Sequence, residues 1–171
     1  MTNLFVTNVN PAEAPKDLDD NRLITACLES SQILGTALYR RGLWNVHMYR
    51  PLWNHNHVVA VWAAASKNNF RWMYHYAEAC CDEYKYRFNR LEENSNRIQI
   101  SLCWDAFRLR EVFSDTALTE FPNTTPYKTL YITDAYRRYM NEEKWSHSTP
   151  VWTKRGPPVW YKTKEQLRVT A

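Results

Sequence analysis

Residues 18–34 have the sequence LDDNRLITACLESSQIL, in which the apolar residues recur at the spacing of an α-helix. The face that they form carries Leu23, Cys27, Leu34 and, just beyond the segment, Leu38. Asp17, Asp19 or Asp20 can cap the start of this helix, where acidic side chains interact favourably with the helix dipole. The pattern predicts a first long helix that ends at about Tyr39.

A guanidinium and a carboxylate lie at the edge of this apolar face. Glu29 follows Arg22 by two helical turns, and the small residues Thr25 and Ala26 between them leave space beside the pair. Two interpretations are open. The pair is either an ion pair on a partly solvated face, which is the usual outcome for such residues, or a pair of functional groups held at the margin of the core.

The composition favours a single helical domain. The chain has 171 residues and 44% apolar content, which is enough for one hydrophobic core. Only three glycines accompany eight tryptophans and eleven tyrosines, and this balance disfavours an all-β architecture with many tight turns. We therefore expect residues 1–171 to form one all-α domain.

Three further segments have helical periodicity. The strongest covers residues 58–84, with a shift near Asn68 and Asn69 that predicts a bend in one long helix. Another follows a short polar stretch and covers residues 98–113, and a shorter helix is predicted for residues 132–140. Together with the first helix, these segments predict three main helices and one shorter helix.

The remaining segments are predicted to be irregular. Glycine and proline interrupt residues 40–57, and two prolines interrupt residues 114–127, so both read as connections. Three prolines and one glycine fall between residues 149 and 164. The expected fold is a compact all-α domain closed by residues 145–171, which form an irregular basic and aromatic loop.

Cations and aromatic residues alternate in this C-terminal loop. Residues 144–171 carry six Lys or Arg and one Glu, a balance of +5, whereas residues 1–143 balance at −1. Cations neutralise phosphates and aromatic rings stack on bases, so the mixture is typical of nucleic acid binding. The candidate DNA contacts are Trp152, Lys154, Arg155, Trp160 and Lys162. The alternative is that the tryptophans pack back over the core.

Nothing in the sequence indicates a metal site, a cofactor or a membrane span. The four cysteines form no CxxC pair, so they are expected to be buried thiols in a reducing cytoplasm. No apolar run approaches the roughly 18 residues that a membrane helix needs. His55 and His57 lie near a predicted helix start, where a capping or packing role is favoured over metal binding.

A further functional group is predicted at the N-terminus. Thr2 follows the initiator Met1, and a small second residue normally allows the methionine to be removed. The exposed α-amine has a reference pKa of about 7.7 to 8.0, so part of it is neutral and nucleophilic at physiological pH. An amine and a carboxylate suffice to excise a base. The amine would form a Schiff base at the anomeric carbon, and Glu29 would stabilise the positive charge that develops there if the N-terminal segment folds over the first helix.

Four features of the chain occur together in one known family. They are the Met1-Thr2 start, Asp20 nine positions before Glu29, a long second helix after His57, and a late Pro-x-Trp-x-Lys element at Pro150, Trp152 and Lys154. In these features the chain resembles the pyrimidine-dimer DNA glycosylases, the phage endonuclease V-like family. The resemblance covers most of the chain loosely and is close at these points.

The resemblance implies a double-stranded DNA substrate and base excision with an associated AP-lyase step. It assigns the nucleophile to Thr2 and the catalytic carboxylate to Glu29, and it places Trp152 and Lys154 in a DNA-facing loop. A monomer in the cytoplasm of a bacterial or phage-infected cell is expected, without a cofactor.

The chain departs from the family pattern around the glutamate. The family has one arginine immediately before it and another three residues after it, where this chain has Leu28 and Gln32. Arg22 is the candidate substitute. Two alternatives stay open: a non-catalytic phage module that binds DNA or protein, and a phage DNA-modification enzyme on the same scaffold.

Overall fold

The computed structural model describes residues 4–89 and 95–169, which form seven α-helices and one π-helical turn. In chain order these are α1 (Ala14–Asp17), α2 (Asp20–Arg40), α3 (Val58–Ala65), α4 (Lys67–Phe88), α5 (Ser95–Leu109), α6 (Ile132–Tyr139), the π-helical turn (Met140–Lys144) and α7 (Lys164–Val169). These two ranges contain no β-strand, and their isolated bridge joins Ser66 to Ser114. The expected all-α class is confirmed.

Helix α2 is central to the fold and packs against α3, α4 and α5. Its predicted apolar face is buried at all four positions, Leu23, Cys27, Leu34 and Leu38. Asp19 is the N-cap residue, but its side chain makes no capping hydrogen bond. Both the prediction of this helix and its end near Tyr39 are confirmed, whereas the acids at its start serve other contacts.

The second predicted helix is divided into two. Ser66 has φ −148° and ψ 163°, so extended backbone separates α3 from α4 just before the predicted bend at Asn68 and Asn69. The Ser66 side chain accepts a 3.1 Å hydrogen bond from the Asn69 backbone N–H, and the Lys67 N–H donates to the Ser114 carbonyl at 2.8 Å. The break therefore has its own cap, and the prediction of one bent helix is wrong at this point.

Helix α5 ends before the predicted boundary. Phe113 lies in the following loop, where its ring is buried 5.1 Å from the rings of both Phe70 and Phe107. Phe113, which extended the apolar pattern of the predicted helix, is therefore a core residue that lies in a loop. Short apolar recurrences cannot separate these two cases.

The C-terminal loop is irregular as predicted up to Thr163 and then forms the short helix α7. The Thr163 hydroxyl accepts from the Gln166 N–H at 3.3 Å, and the Gln166 side chain accepts from the Thr163 N–H at 2.9 Å. This reciprocal pair is a capping box, which the sequence TKEQ encodes locally. The prediction of a loop throughout residues 145–171 is therefore corrected.

Two other predictions concern the thiols and membranes. All four cysteines are free and buried, as expected. Burial raises the pKa of Cys103 to about 12, so its thiol stays protonated at neutral pH. None of the helices in the described part of the chain combines the length and apolar content that crossing a bilayer requires.

Replacing Ser66 with alanine removes the cap of α4. We expect Ser66→Ala to lower the free energy of unfolding by about 1 kcal/mol, the usual cost of losing a serine cap. Urea denaturation of the variant checks this value, with Ser101→Ala on the exposed face of α5 as the control. Equal stability of the two variants would contradict the capping role.

Candidate functional site

Arg22 and Glu29 line one polar pocket of about 360 Å³. The pocket lies beside the N-terminal half of α2, and its complete lining is Phe5, Asn21, Arg22, Thr25, Glu29, Lys144 and Ser148. Both Arg22 and Glu29 are half-buried, so each has one side in the protein and one side accessible to a ligand. The sequence prediction that these two residues share one site is consistent with this placement.

Arg22 is held in a fixed position by the protein. Its Nη1 donates to both carboxylate oxygens of Asp19, at 3.0 and 3.1 Å, and its Nη2 donates to the Lys144 carbonyl at 2.7 Å. Asp19 is buried and also accepts from the Trp145 indole N–H at 3.0 Å. The ion pair recorded for Arg22 is thus with Asp19, and a preorganised guanidinium borders the pocket that contains Glu29.

The predicted nucleophile, Thr2, lies outside the described residues, as does Met1. The nearby segment Leu4–Val6 is buried at all three positions. Phe5 contributes to the lining of the pocket, and its ring packs 6.5 Å from that of Tyr136. The N-terminal segment is therefore anchored in the core directly beside Arg22 and Glu29.

Four lining residues, Phe5, Asn21, Lys144 and Ser148, were not singled out from the sequence. Asn21 precedes Thr25 and Glu29 at successive steps of four, so helical spacing alone places all three on one face of α2. The Thr25 hydroxyl donates to the Asn21 carbonyl at 2.9 Å. Lys144 and Ser148 come from the π-helical turn and the chain after it, and no local pattern connects those residues to α2.

The tryptophans of the C-terminal loop form an aromatic cluster on the protein. Trp152 is 9% exposed, and its indole N–H donates to the Asp17 carbonyl at 3.0 Å. Its ring centroid lies 5.2 Å from those of Trp145 and Tyr161, and Trp160 stacks on Trp145 at 5.4 Å. Trp152 therefore covers the core in the described structure, whereas Trp160 is half-buried.

The three predicted cations of this loop differ in how their side chains are hydrogen-bonded to the rest of the protein. Arg155 donates from Nη2 to Glu83 at 2.7 Å and from Nε to the same carboxylate. Lys154 donates to the Tyr86 carbonyl at 2.7 Å and to the side chain of Asn89, although its own side chain is exposed. Lys162 is exposed, and its backbone N–H donates to the side chain of Asn141 at 2.9 Å. Of the three, Lys162 is the most available to a phosphate.

Arg87 organises the contacts beneath this loop. Its side chain is fully buried and donates to Glu83 at 2.7 Å, to Asp20 at 3.0 Å, and to the carbonyls of Leu18 and Lys16 at 2.7 and 3.0 Å. Asp20 in turn accepts from the hydroxyl of Thr153 at 2.6 Å. Residues on α2, α4 and the C-terminal loop thus meet at a single buried guanidinium.

The carboxylates of this network are held ionised. Burial alone would raise the pKa of Asp20, but hydrogen bonds from Thr153 and the nearby Arg87 outweigh it and lower the pKa. The pKa of Glu83 is lowered in the same way, because hydrogen bonds from Arg155 and Arg87 exceed the effect of burial. Both groups bind protons more weakly in the folded than in the unfolded chain.

These lowered pKa values make folding stability sensitive to acid. The stabilisation from Asp20 and Glu83 is present above about pH 4, their unfolded range, and is lost as the pH falls through their lower folded pKa values. We expect the free energy of unfolding to fall between about pH 5 and pH 2, and to fall less in Glu83→Gln. Urea denaturation across this range measures both slopes. Identical slopes would remove Glu83 from the acid response.

The two histidines of the connection lie near the start of α3, where His55 packs on an aromatic ring and His57 occupies the N-cap position without a side-chain capping hydrogen bond. The His55 ring lies 4.4 Å from that of Tyr39, and His57 is the N-cap residue of α3. Among residues 4–89 and 95–169, no group of His, Cys, Asp or Glu has the arrangement of a metal site.

Comparison with known proteins adds no assignment. The chain matches no protein-family model, no curated protein and no solved structure. Membership of the pyrimidine-dimer DNA glycosylase family therefore stays a prediction that rests on the sequence features and on the pocket around Glu29.

Two substitutions separate the structural from the DNA-contacting residues of the loop. We expect Trp152→Ala to lower the free energy of unfolding by about 3 to 5 kcal/mol, as for other buried tryptophans. Lys162→Gln should leave stability unchanged, and if Lys162 contacts a phosphate it should reduce the slope of log affinity for DNA against log salt by about one. Thermal melts and DNA titrations at several salt concentrations measure both. A Trp152→Ala variant that melts normally but loses DNA affinity would instead make Trp152 a base contact.

Proposed function

We propose that this chain excises damaged or modified pyrimidine bases from double-stranded DNA, as a monomeric glycosylase with an AP-lyase step in the cytoplasm of a bacterial or phage-infected cell. The observation that carries the proposal is the shared pocket of Glu29, Arg22 and Phe5. It joins a half-buried carboxylate, a fixed cation and a residue of the buried segment Leu4–Val6 at one site.

Covalent geometry supports a role for the N-terminal amine. Phe5 follows Thr2 by three residue steps, and an extended chain spans at most about 3.6 Å per step, so the two residues are at most about 11 Å apart. Such a tether is short enough to be compatible with an N-terminal amine that acts at the pocket that Phe5 lines. Removal of Met1 is the chemical condition for this role.

The reaction assigns one role to each group. The amine nitrogen bonds to the anomeric carbon as the glycosidic bond breaks, and the base leaves with the bonding electrons and takes up a proton. The sugar ring opens to an imine, and loss of a proton from C2′ then expels the 3′ phosphate. Glu29 stabilises the positive charge on the sugar and accepts protons, while Arg22 and Lys144 offer charge to a neighbouring phosphate.

One observation favours a second candidate, a non-catalytic module that binds DNA or protein. Arg22 is paired with the buried Asp19 and with a backbone carbonyl, as a structural residue would be. In that case the pocket would bind a ligand without forming a covalent bond to it. Covalent trapping separates the two candidates.

We expect sodium borohydride to link the protein covalently to DNA that contains an abasic site, because it reduces the imine to a stable amine. Mass spectrometry of the digested adduct should locate the link at the N-terminal amine of Thr2. Acetylation of that amine should abolish the link. A link through an internal lysine, or an intact protein that retains Met1, would exclude the proposed nucleophile.

Glu29→Gln tests the carboxylate separately from the fold. The substitution keeps the shape and removes the charge, so turnover should fall by a factor on the order of a hundred or more while DNA binding persists. Glu120→Gln, an exposed change outside the pocket, serves as the matched control. If Glu29→Gln unfolds the protein and Arg22→Gln does the same, both residues are structural.

A further inference from the structure

A second pocket, of about 560 Å³, lies at the opposite end of α2. Its lining consists of Tyr39, Trp44, Arg50, Pro51, Trp53 and His55, and these six residues include no carboxylate. Trp53 is 96% exposed, although a tryptophan without a role in binding is normally covered. An aromatic groove beside an arginine is thus presented to solvent.

The backbone around α2 builds this groove. Gly42 has φ +70°, a left-handed conformation that favours glycine, and it ends α2 in a Schellman motif. The Gly42 N–H donates to the Tyr39 carbonyl at 3.0 Å, and the Leu43 N–H donates to the Leu38 carbonyl at 2.9 Å. This reversal brings Trp44 back beside Tyr39, with ring centroids 6.3 Å apart.

The other ring-bearing residues are also held in place. The Trp44 indole N–H donates to the Tyr49 carbonyl at 2.9 Å. Arg40 donates to the His55 carbonyl at 2.9 Å, and the residue before Trp53 is fixed by a 2.9 Å hydrogen bond from its N–H to the Thr36 hydroxyl. These hydrogen bonds fix Trp44 and the backbone on either side of Trp53 before a ligand binds.

The charge around the groove is positive. Residues 30–77 contain no Asp or Glu but include Arg40, Arg41, Arg50 and Arg71, whereas Lys67 of the same stretch pairs with Asp115 and Glu111. The contacts recorded for Arg40 are to carbonyl and amide oxygens, and Arg41 contacts the Ala64 carbonyl and the Phe113 ring, so neither set cancels the charge. Arg50 is exposed within the groove itself.

We propose that this groove binds single-stranded nucleic acid, with an unpaired base stacked on Trp53 and the neighbouring phosphates contacting Arg50. A base offers a flat face to aromatic rings, and the nucleic acid backbone carries the negative charge that a lining with an arginine and no carboxylate attracts. A proline-rich peptide would also fit the rings, but it supplies no charge to complement the arginines. The proposal does not depend on the lyase chemistry at Glu29.

Fluorescence anisotropy with a labelled oligothymidylate of about 16 nucleotides tests the proposal. Trp53→Ala should weaken binding by about 5- to 150-fold, the range for loss of one stacked base, and Trp53→Phe should retain most of the affinity. Arg50→Gln should reduce the salt slope by about 0.7. Tyr131→Ala and Arg110→Gln, exposed changes outside the groove, are the matched controls.

An oligomer with the same phosphates but no bases provides the decisive comparison. Its affinity should be lower than that of oligothymidylate and should not change in Trp53→Ala. Equal binding of oligothymidylate by wild type and Trp53→Ala overturns the proposal, as does Trp53-dependent binding of a proline-rich peptide without any binding of oligothymidylate. Failure of borohydride trapping at the Glu29 pocket leaves these outcomes unaffected, so the two proposals fail separately.

Discussion

The buried guanidinium of Arg87 connects α1, α2, α4 and the C-terminal loop through one set of hydrogen bonds. A charged group that is buried away from water needs hydrogen-bond acceptors from the protein. The acceptors of Arg87 come from α2, α4 and the turn after α1. Two of them, Asp20 and Glu83, also contact the C-terminal loop. Displacement of any one element would leave a buried polar group without its partner. Arg87 thus makes the relative positions of these elements interdependent.

Helix α2 gives the molecule two chemically different ends. Its first half borders the pocket of Arg22 and Glu29, in which charged groups and small polar side chains predominate. Its last residues border an aromatic groove in a stretch without carboxylates. From Glu29 to Tyr39 the helix rises about 15 Å, so the two sites are separated along a rigid element.

The sequence predicts those features that depend on local periodicity. The apolar face of α2 and the all-α class follow from the spacing of Leu23, Cys27 and Leu34. Composition could not decide whether Trp152 faces DNA or the core, because alternating rings and cations suit both. Apart from the local i,i+4 pair with Glu83, the contacts of Arg87 join residues 67 or more positions apart to a side chain that is rarely buried, so no local pattern encodes them. The Thr163 capping box, by contrast, was readable from sequence.

The order of synthesis determines when the Arg155 contact can form during folding. Before residue 155 is made, Arg87 faces two carboxylates, Asp20 and Glu83, and the cluster has a net negative charge. Arg155 supplies the compensating charge, and Thr153 satisfies the remaining oxygen of Asp20. Helices α2 and α4 can associate early in synthesis, but their charged junction is completed only when nearly the whole polypeptide has emerged.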